Sequence, residues 1–298
     1  MTPNAASARH TVTVTAPSSS LPATGRRALV TTASRLVKYA AAAADPVRGA
    51  GQGLVVLIYH RVGATSSSAV DLPLGLFVDQ MEELAATGSV VSLDEAVTLL
   101  ASPAPPPGPP RLAITFDDGT GDFADLAVPV LERLGLAATL YLATEPVESG
   151  RPFCPGATHL SWKALAEATA SGLVTVGSHT HSHTLLDRAD PAEVANELDR
   201  SIGLIEDRLG TTPRHFAYPK ALLGSPAAQA AVQARFASAA IGGTRANRYG
   251  GDPYRLQRSP IQVSDGMRWF RRKTQGGMAL EDDLRRLINR RRYAGATT

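Results

Sequence analysis

Arg111-Leu112-Ala113-Ile114-Thr115-Phe116-Asp117-Asp118-Gly119 reads as a strand that runs into two adjacent carboxylates and a glycine. The mostly apolar run ahead of Asp117 has the length and residue types of a buried strand, so its last residues deliver two acid groups to one end of a sheet. Like charges side by side repel. A protein that sets them there offsets the repulsion with a cation, or makes one carboxylate a ligand and the other a base. The plainer alternative is an Asp-Asp-Gly turn closing a strand.

Outward from this stretch the chain alternates strand and helix in both directions. Residues 54–60, Leu-Val-Val-Leu-Ile-Tyr-His, form a continuous apolar run of the kind found in the centre of a parallel sheet, and it ends on a histidine. A helix over 76–86 puts Phe77, Met81 and Leu84 on one face, Val90-Val91 is a short strand, and Ser92 with Glu95 makes a capping box for a helix ending near Leu100. The proline-rich 102–110 is a loop. After the two carboxylates come a helix over 123–134, a strand over 137–143, a helix over 161–171 capped by Ser161, and a strand over 173–176. Asp190-Pro191-Ala192-Glu193 opens a long helix to about Leu209. A short strand ending at Tyr218-Pro219, a helix over 226–234, a strand over 237–241 and an extended segment over 255–263 complete the pattern. Such alternation predicts an α/β fold whose parallel strands close into a barrel or form a large open sheet. In a barrel of that kind the functional groups collect at the C-terminal strand ends, where His60, Asp117, Asp118, His179, His183 and Tyr218 all fall.

Composition narrows the chemistry. The 298 residues carry 44% hydrophobic and 19% charged residues and a net charge of +3, ordinary values for a globular chain. The mild charge and the lack of aromatic interleaving argue against nucleic acid as a partner. Cys154 is the single cysteine, so a disulfide within the chain and a thiolate zinc cluster are excluded, and any metal must be held by histidines and carboxylates. No apolar run is long enough to span a membrane, and the first fifty residues lack the ordered layout of a secretory signal, which tilts the expected location toward the cytoplasm. Residues 1–50 are expected to be a flexible leader with a short amphipathic helix near 29–43, residues 51–275 the barrel, and 276–298 a basic C-terminal helix and tail. Arg285, Arg286, Arg290, Arg291 and Arg292 on that helix read as a solvated face, with attraction to an acidic glycan or an anionic membrane surface as the second reading.

Gly177-Ser178-His179-Thr180-His181-Ser182-His183 is the second chemical signal. Three of the seven histidines lie in it, a density that favours a site over the plainer alternative of a polar loop that happens to be histidine-rich. Histidines four apart after a strand face one cation if the turn is helical, and with one aspartate they make a two-His, one-carboxylate site that keeps positions open for water. His181, between the other two, points elsewhere and is assigned a structural role.

Taken together, Thr115-Phe116-Asp117-Asp118-Gly119 and Ser178-His179-Thr180-His181-Ser182-His183 resemble the first two motifs of the polysaccharide deacetylases, the NodB-homology carbohydrate esterases of family four, with a likeness running over about 52–265. The resemblance implies a distorted (β/α)7-type barrel and metal-dependent removal of acetyl groups from N-acetylated sugars in a glycan. It assigns Asp118, His179 and His183 to one divalent ion (zinc, with cobalt or nickel as substitutes), Asp117 to the general base, and the Tyr218 backbone N–H to the oxyanion. Phe216-Ala217-Tyr218-Pro219-Lys220 lacks the arginine that many relatives carry just before the Tyr or Trp, and Arg258 is the candidate to orient Asp117 in its place. Relatives also end on a leucine-x-histidine motif, yet no histidine follows Arg258. Leu57-Ile58-Tyr59-His60 resembles instead the opening motif of the circularly permuted subset that includes poly-N-acetylglucosamine deacetylases. On that likeness the first strand takes the place of the last, and His60 is the general acid to the leaving amine. Trp162 and Tyr59 are candidates either for stacking on a sugar ring or for the core. Two other classes compete: a deacetylase-like barrel that binds glycan without turnover, and an amidase of the same fold acting on a small amide. The oligomeric state is open.

Overall fold

In the computed structural model, which describes residues 37–45, 53–103, 108–284 and 287, seven parallel strands close into a barrel. In chain order they are β1 (Leu54–Tyr59), β4 (Arg111–Asp118), β5 (Ala138–Leu142), β6 (Val174–Ser178), β7 (His215–Ala217), β8 (Ser238–Gly242) and β9 (Leu256–Pro260), and each pairs with the next. β1 also pairs with β9, with Val56 opposite Arg258, so the first and last strands seal the barrel. A separate two-stranded ribbon, β2 (Arg61–Val62) and β3 (Asp71–Leu72), follows β1. The closure is uneven, because β7 has three residues and meets β6 at the single position Ser178 opposite Phe216. This is the distorted barrel expected from the sequence.

Alternation along each strand sorts the side chains into two sets. Val55, Leu57 and Tyr59 of β1, with Leu112, Ile114 and Phe116 of β4, face outward under the helices and join the large core there. Leu54 and Val56, with Ala113, Tyr141, Ala217, Ala240 and Leu256, fill the interior. Above them the interior turns polar: Thr115 donates to the Leu57 carbonyl at 2.7 Å, and the Thr139 and Thr175 hydroxyls lie 2.9 Å apart. Asp117 belongs to the inward set by the same period, which is how an apolar strand comes to carry a buried carboxylate to the barrel mouth.

The helices form for local reasons. α2 (Leu74–Thr87) buries Phe77, Met81 and Leu84 and stops where Gly88 turns left-handed at φ 59°. α3 (Leu93–Leu100) begins where the Ser92 side chain accepts from the Glu95 N–H. The expected strand at Val90-Val91 is a single bridge from Val90 to Leu112. The helix expected over 123–134 is two pieces, a wide π turn over Phe123–Ala127 and α4 (Val128–Leu134). Pro129 explains the break: it has no N–H to offer and its ring crowds the preceding turn, so the backbone there widens. α5 (Thr144–Glu148), α6 (Trp162–Thr169), α7 (Pro191–Leu209) and α8 (Pro226–Gln233) follow, α7 opened by Asp190 accepting from the Ala192 and Glu193 N–H groups. α9 (Gly266–Lys273) closes the series. Among the described residues no helix is long and apolar enough to cross a membrane.

Only residues 37–45 of the expected leader lie among the described residues. Residues 37–45 form helix α1, which docks on α9 and the segment after it instead of hanging free. Ala41 packs with Trp269 and Met278, and the Tyr39 and Trp269 rings meet edge to face at 5.1 Å. The Lys38 ammonium, 1% exposed, pairs with Asp265 and, at 2.7 Å, with Glu281, while Lys273 reaches Asp265 at 2.8 Å. Burial opposes ionisation of Asp265, but Lys273 and Lys38 hold its carboxyl below the usual range. Two ammonium groups and two carboxylates thus share one enclosed space. Lys38→Met leaves a lone lysine against both acids and is expected to cost about 3–5 kcal/mol, the range for uncompensating a buried ion pair, read as a lower urea midpoint. The arginines of the expected C-terminal basic helix, Arg285, Arg286, Arg290, Arg291 and Arg292, lie outside the described residues, as does the leader before residue 37.

Candidate active site

The mouth of the barrel is built by two strand ends that break their own alternation. After Asp117, Asp118 takes a left-handed φ of 76°, which turns back a side chain that strict alternation would send outward. Gly119 follows at φ 92°, and a Cβ there would stand 2.4 Å from a Leu142 methyl, so only glycine lets the chain turn so close to β5. From β6, Ser178 faces outward and His179 inward. Thr180 and His183 are both left-handed, at φ 66° and 62°, and the loop they shape swings His183 over the same point.

Three side chains converge there. One donor atom each from Asp118, His179 and His183 lie within 4.8 Å of one another. His179 Nε2 is 3.7 Å, and His183 Nε2 3.5 Å, from Asp118 Oδ1. The His179 Nδ1 lies 2.7 Å from the Ala217 carbonyl. A carbonyl only accepts, so Nδ1 carries the proton and the Nε2 lone pair is left facing the mouth. Burial lowers the proton affinity of His179, and it pushes His183 down to about 2, since a proton there would also be repelled by any proton on His179 and by the Lys220 charge. Both imidazoles are therefore neutral, the form that ligates. Phe153 presents its edge to the His183 ring at 5.1 Å. Two neutral imidazoles and a carboxylate form a donor set that suits a divalent ion of the zinc, cobalt or nickel kind.

Asp117 stands beside this set without joining it. Arg258 Nη1 and Nη2 donate to its two oxygens at 2.5 and 2.8 Å, a bidentate grip made from the interior face of β9. Nη1 also reaches the Thr115 hydroxyl at 3.2 Å, and the guanidinium lies over the Tyr141 ring, 4.8 Å from its centroid. Burial opposes ionisation of Asp117, but Arg258, His179 and His60 outweigh it and bring the carboxyl down to about 2. Tyr141 fits inside the barrel because Gly177 has no side chain: a Cβ there would meet the ring at 2.8 Å. Arg258→Met leaves the Asp117 charge buried and unmatched, and is expected to lower stability by about 3–5 kcal/mol. Arg258→Lys keeps the charge but not the fork and should recover only part of that loss. Urea unfolding of the metal-free proteins measures both.

His60, the residue after β1, is half-buried and within electrostatic reach of both Asp117 and His183, and its Nδ1 is buried without a hydrogen-bond partner among the described residues. His181 does point away, its Nδ1 2.9 Å from the Thr144 hydroxyl. Tyr218 needs a correction. Its N–H donates to the Ala240 carbonyl at 3.0 Å, and its ring packs on Phe216 in the core under α7 and α8. That bond belongs to the last pair of the β7–β8 ladder, Ala217 opposite Ala240, so the Tyr218 donor is taken and cannot serve an oxyanion. Tyr59 is core, fully buried against Phe77 and Phe116 with its hydroxyl on Gln80 at 3.0 Å. The Trp162 indole N–H donates to Glu148 at 2.8 Å. Sequence reasoning missed three neighbours of the site: Tyr141, Phe153 and Lys220, an exposed cation with left-handed φ of 53°.

Residues 104–239 match the family model described as polysaccharide deacetylase. The putative polysaccharide deacetylase YxkH of Bacillus subtilis (strain 168) is 25% identical over 166 residues, which are 56% of this chain and 56% of that protein, so the match spans little more than half the length of this relative. Among solved structures, IcaB from Ammonifex degensii superposes with a TM-score of 0.65 at 29% identity over 76% of this chain and 98% of its own. The Streptococcus pyogenes deacetylase PplD in complex with acetate reaches a TM-score of 0.63 at 21% identity over 72% and 96%, a likeness of fold alone.

Proposed function

We propose that this chain, which matches the polysaccharide deacetylase family model over residues 104–239 and is similar in fold to IcaB, is a deacetylase of the NodB type that hydrolyses the acetamide of N-acetylated sugars in a glycan, using one divalent ion held by Asp118, His179 and His183. The observation that carries the reading is the convergence of those three donors within 4.8 Å, with an arginine-held carboxylate beside them. An ion held there, zinc in the first instance, would supply Lewis acidity toward the acetamide carbonyl and would lower the pKa of water.

The residues of the chain do the rest. Asp117, ionised and held by Arg258, accepts the proton of the attacking water as its oxygen bonds to the carbonyl carbon. Because both Asp117 oxygens are gripped, the carboxylate keeps one orientation through the step. The C–N bond then breaks, and the sugar nitrogen needs a proton to leave as an amine. His60, which follows β1 and lies within electrostatic reach of Asp117 and His183, is the general acid of the proposal. The matched family span begins at residue 104 and so leaves β1 outside, which supports the reading of a transposed strand. The products are acetate and a free amino sugar. We read residues 51–275 as the catalytic unit, with α1 docked against it.

The test is acetate release from N-acetylglucosamine oligomers by zinc-loaded protein. Release that needs both the ion and the protein supports the reading, and metal-loaded protein that frees no acetate overturns it. His60→Ala is expected to keep its zinc while turnover falls roughly 10²-fold. Wild-type release by that variant would remove His60 from the mechanism.

A further inference from the structure

We propose that Glu197, on α7, is the positioning residue that sets the geometry of the metal pair by clamping the loop between His179 and His183. The proposal rests on the metal reading above and concerns what makes that site tight.

The two histidines are held very differently. His179 leaves β6 directly and its ring is fixed by the Ala217 carbonyl. His183 comes four residues later, after a loop in which Thr180 and His183 itself occupy left-handed backbone, where residues with a Cβ are disfavoured. Such a loop keeps its shape only if its surroundings hold it. Glu197 supplies the hold: its Oε2 accepts from the His181 N–H at 2.9 Å and the Ser182 N–H at 2.8 Å, and its Oε1 accepts from the Ser182 hydroxyl at 2.7 Å. The carboxylate is buried, 6% exposed, and these three donors satisfy both its oxygens.

Neighbouring contacts extend the clamp. One turn further along α7, the Ser201 hydroxyl lies 2.8 Å from that of Ser178, the residue before His179. From the other side, the Glu145 N–H donates to the His181 carbonyl at 2.8 Å. α7 therefore touches the loop at its start through Ser201 and at its middle through Glu197, and His183 is placed by what lies between. Glu197 touches no ligand ring. It acts through the backbone, and its negative charge beside the site also favours a cation there.

Zinc affinity, measured by competition with a chromophoric chelator on the full chain, tests this. Glu197→Gln keeps one accepting oxygen and loses the other, and should weaken zinc about 10-fold. Glu197→Ala loses both and should weaken it about 100-fold, the upper range for partners one layer behind a ligand. The metal-free variants should keep the wild-type far-UV circular dichroism, and the cobalt-loaded variants should show a shifted d–d spectrum, which a change in global stability alone would not produce. Glu193→Gln, on the exposed first turn of the same helix, is the control and should bind as wild type. A folded Glu197→Ala protein with wild-type zinc affinity and cobalt spectrum overturns the proposal. If the alanine variant does not fold, the glutamine variant decides it by the same two readings. Wild-type protein that takes up no zinc overturns the metal reading itself, an outcome distinct from wild-type binding that the Glu197 variants leave untouched.

Discussion

His179→Ala is expected to take the protein from about one equivalent of zinc, the count for one open site, to almost none, and acetate release to the uncatalysed background. The loss is larger than deletion of one ligand from an exposed site would give, because His179 is the rigid member of the set. Its Nδ1–H is tied to the Ala217 carbonyl and its Nε2 faces Asp118 at 3.7 Å, so what remains is the strand-end aspartate and a histidine carried on a loop. Elemental analysis after dialysis reads the metal, and an enzymatic acetate assay reads the turnover. Retention of a full equivalent would mean that the ion sits elsewhere and that the three converging donors are not its ligands.

Asp117→Asn separates base from ligand. Turnover should fall by roughly 10²- to 10⁴-fold, the contribution of a positioned proton acceptor, while zinc content and affinity stay at wild-type values. The amide keeps the shape of the side chain and one oxygen for Arg258, but it cannot take a proton from water. It also leaves Arg258, fully buried, facing a neutral partner, so the variant should unfold at lower urea than wild type. A rate within a few-fold of wild type would leave no role for Asp117 as base. Loss of zinc in step with activity would make it a ligand instead.

How much of this was legible beforehand follows from how far apart the interacting residues lie in the chain. The strand that carries Asp117, the spacing of His179 and His183, the caps at Ser92, Ser161 and Asp190 and the stop at Gly88 are all local patterns, and the structure has each of them. Arg258 was named for a partner 141 residues away only because a missing arginine had to be replaced from somewhere, and the structure pairs it with Asp117. Tyr218 went the other way. Its motif matches, but whether a backbone N–H is free depends on how far two strands stay in register, which no motif records. Glu197 read as one acid among many on a long amphipathic helix. Its value lies in three donors that belong to a loop the helix meets only after folding. Lys38 was hidden for the same reason, since its acidic partners lie at 265 and 281. The π turn before α4 was foreseeable from Pro129, which a purely periodic reading passes over.

Beneath Asp117 the barrel is plugged. Arg258, Tyr141 and Thr115 occupy its axis fully buried, and below them Val56, Ala113 and Ala240 continue the filling to the far end. Among the described residues the filled interior leaves no passage beneath Asp117, so on the proposed reading both products of an acetamide cleavage leave by the barrel mouth through which the substrate came.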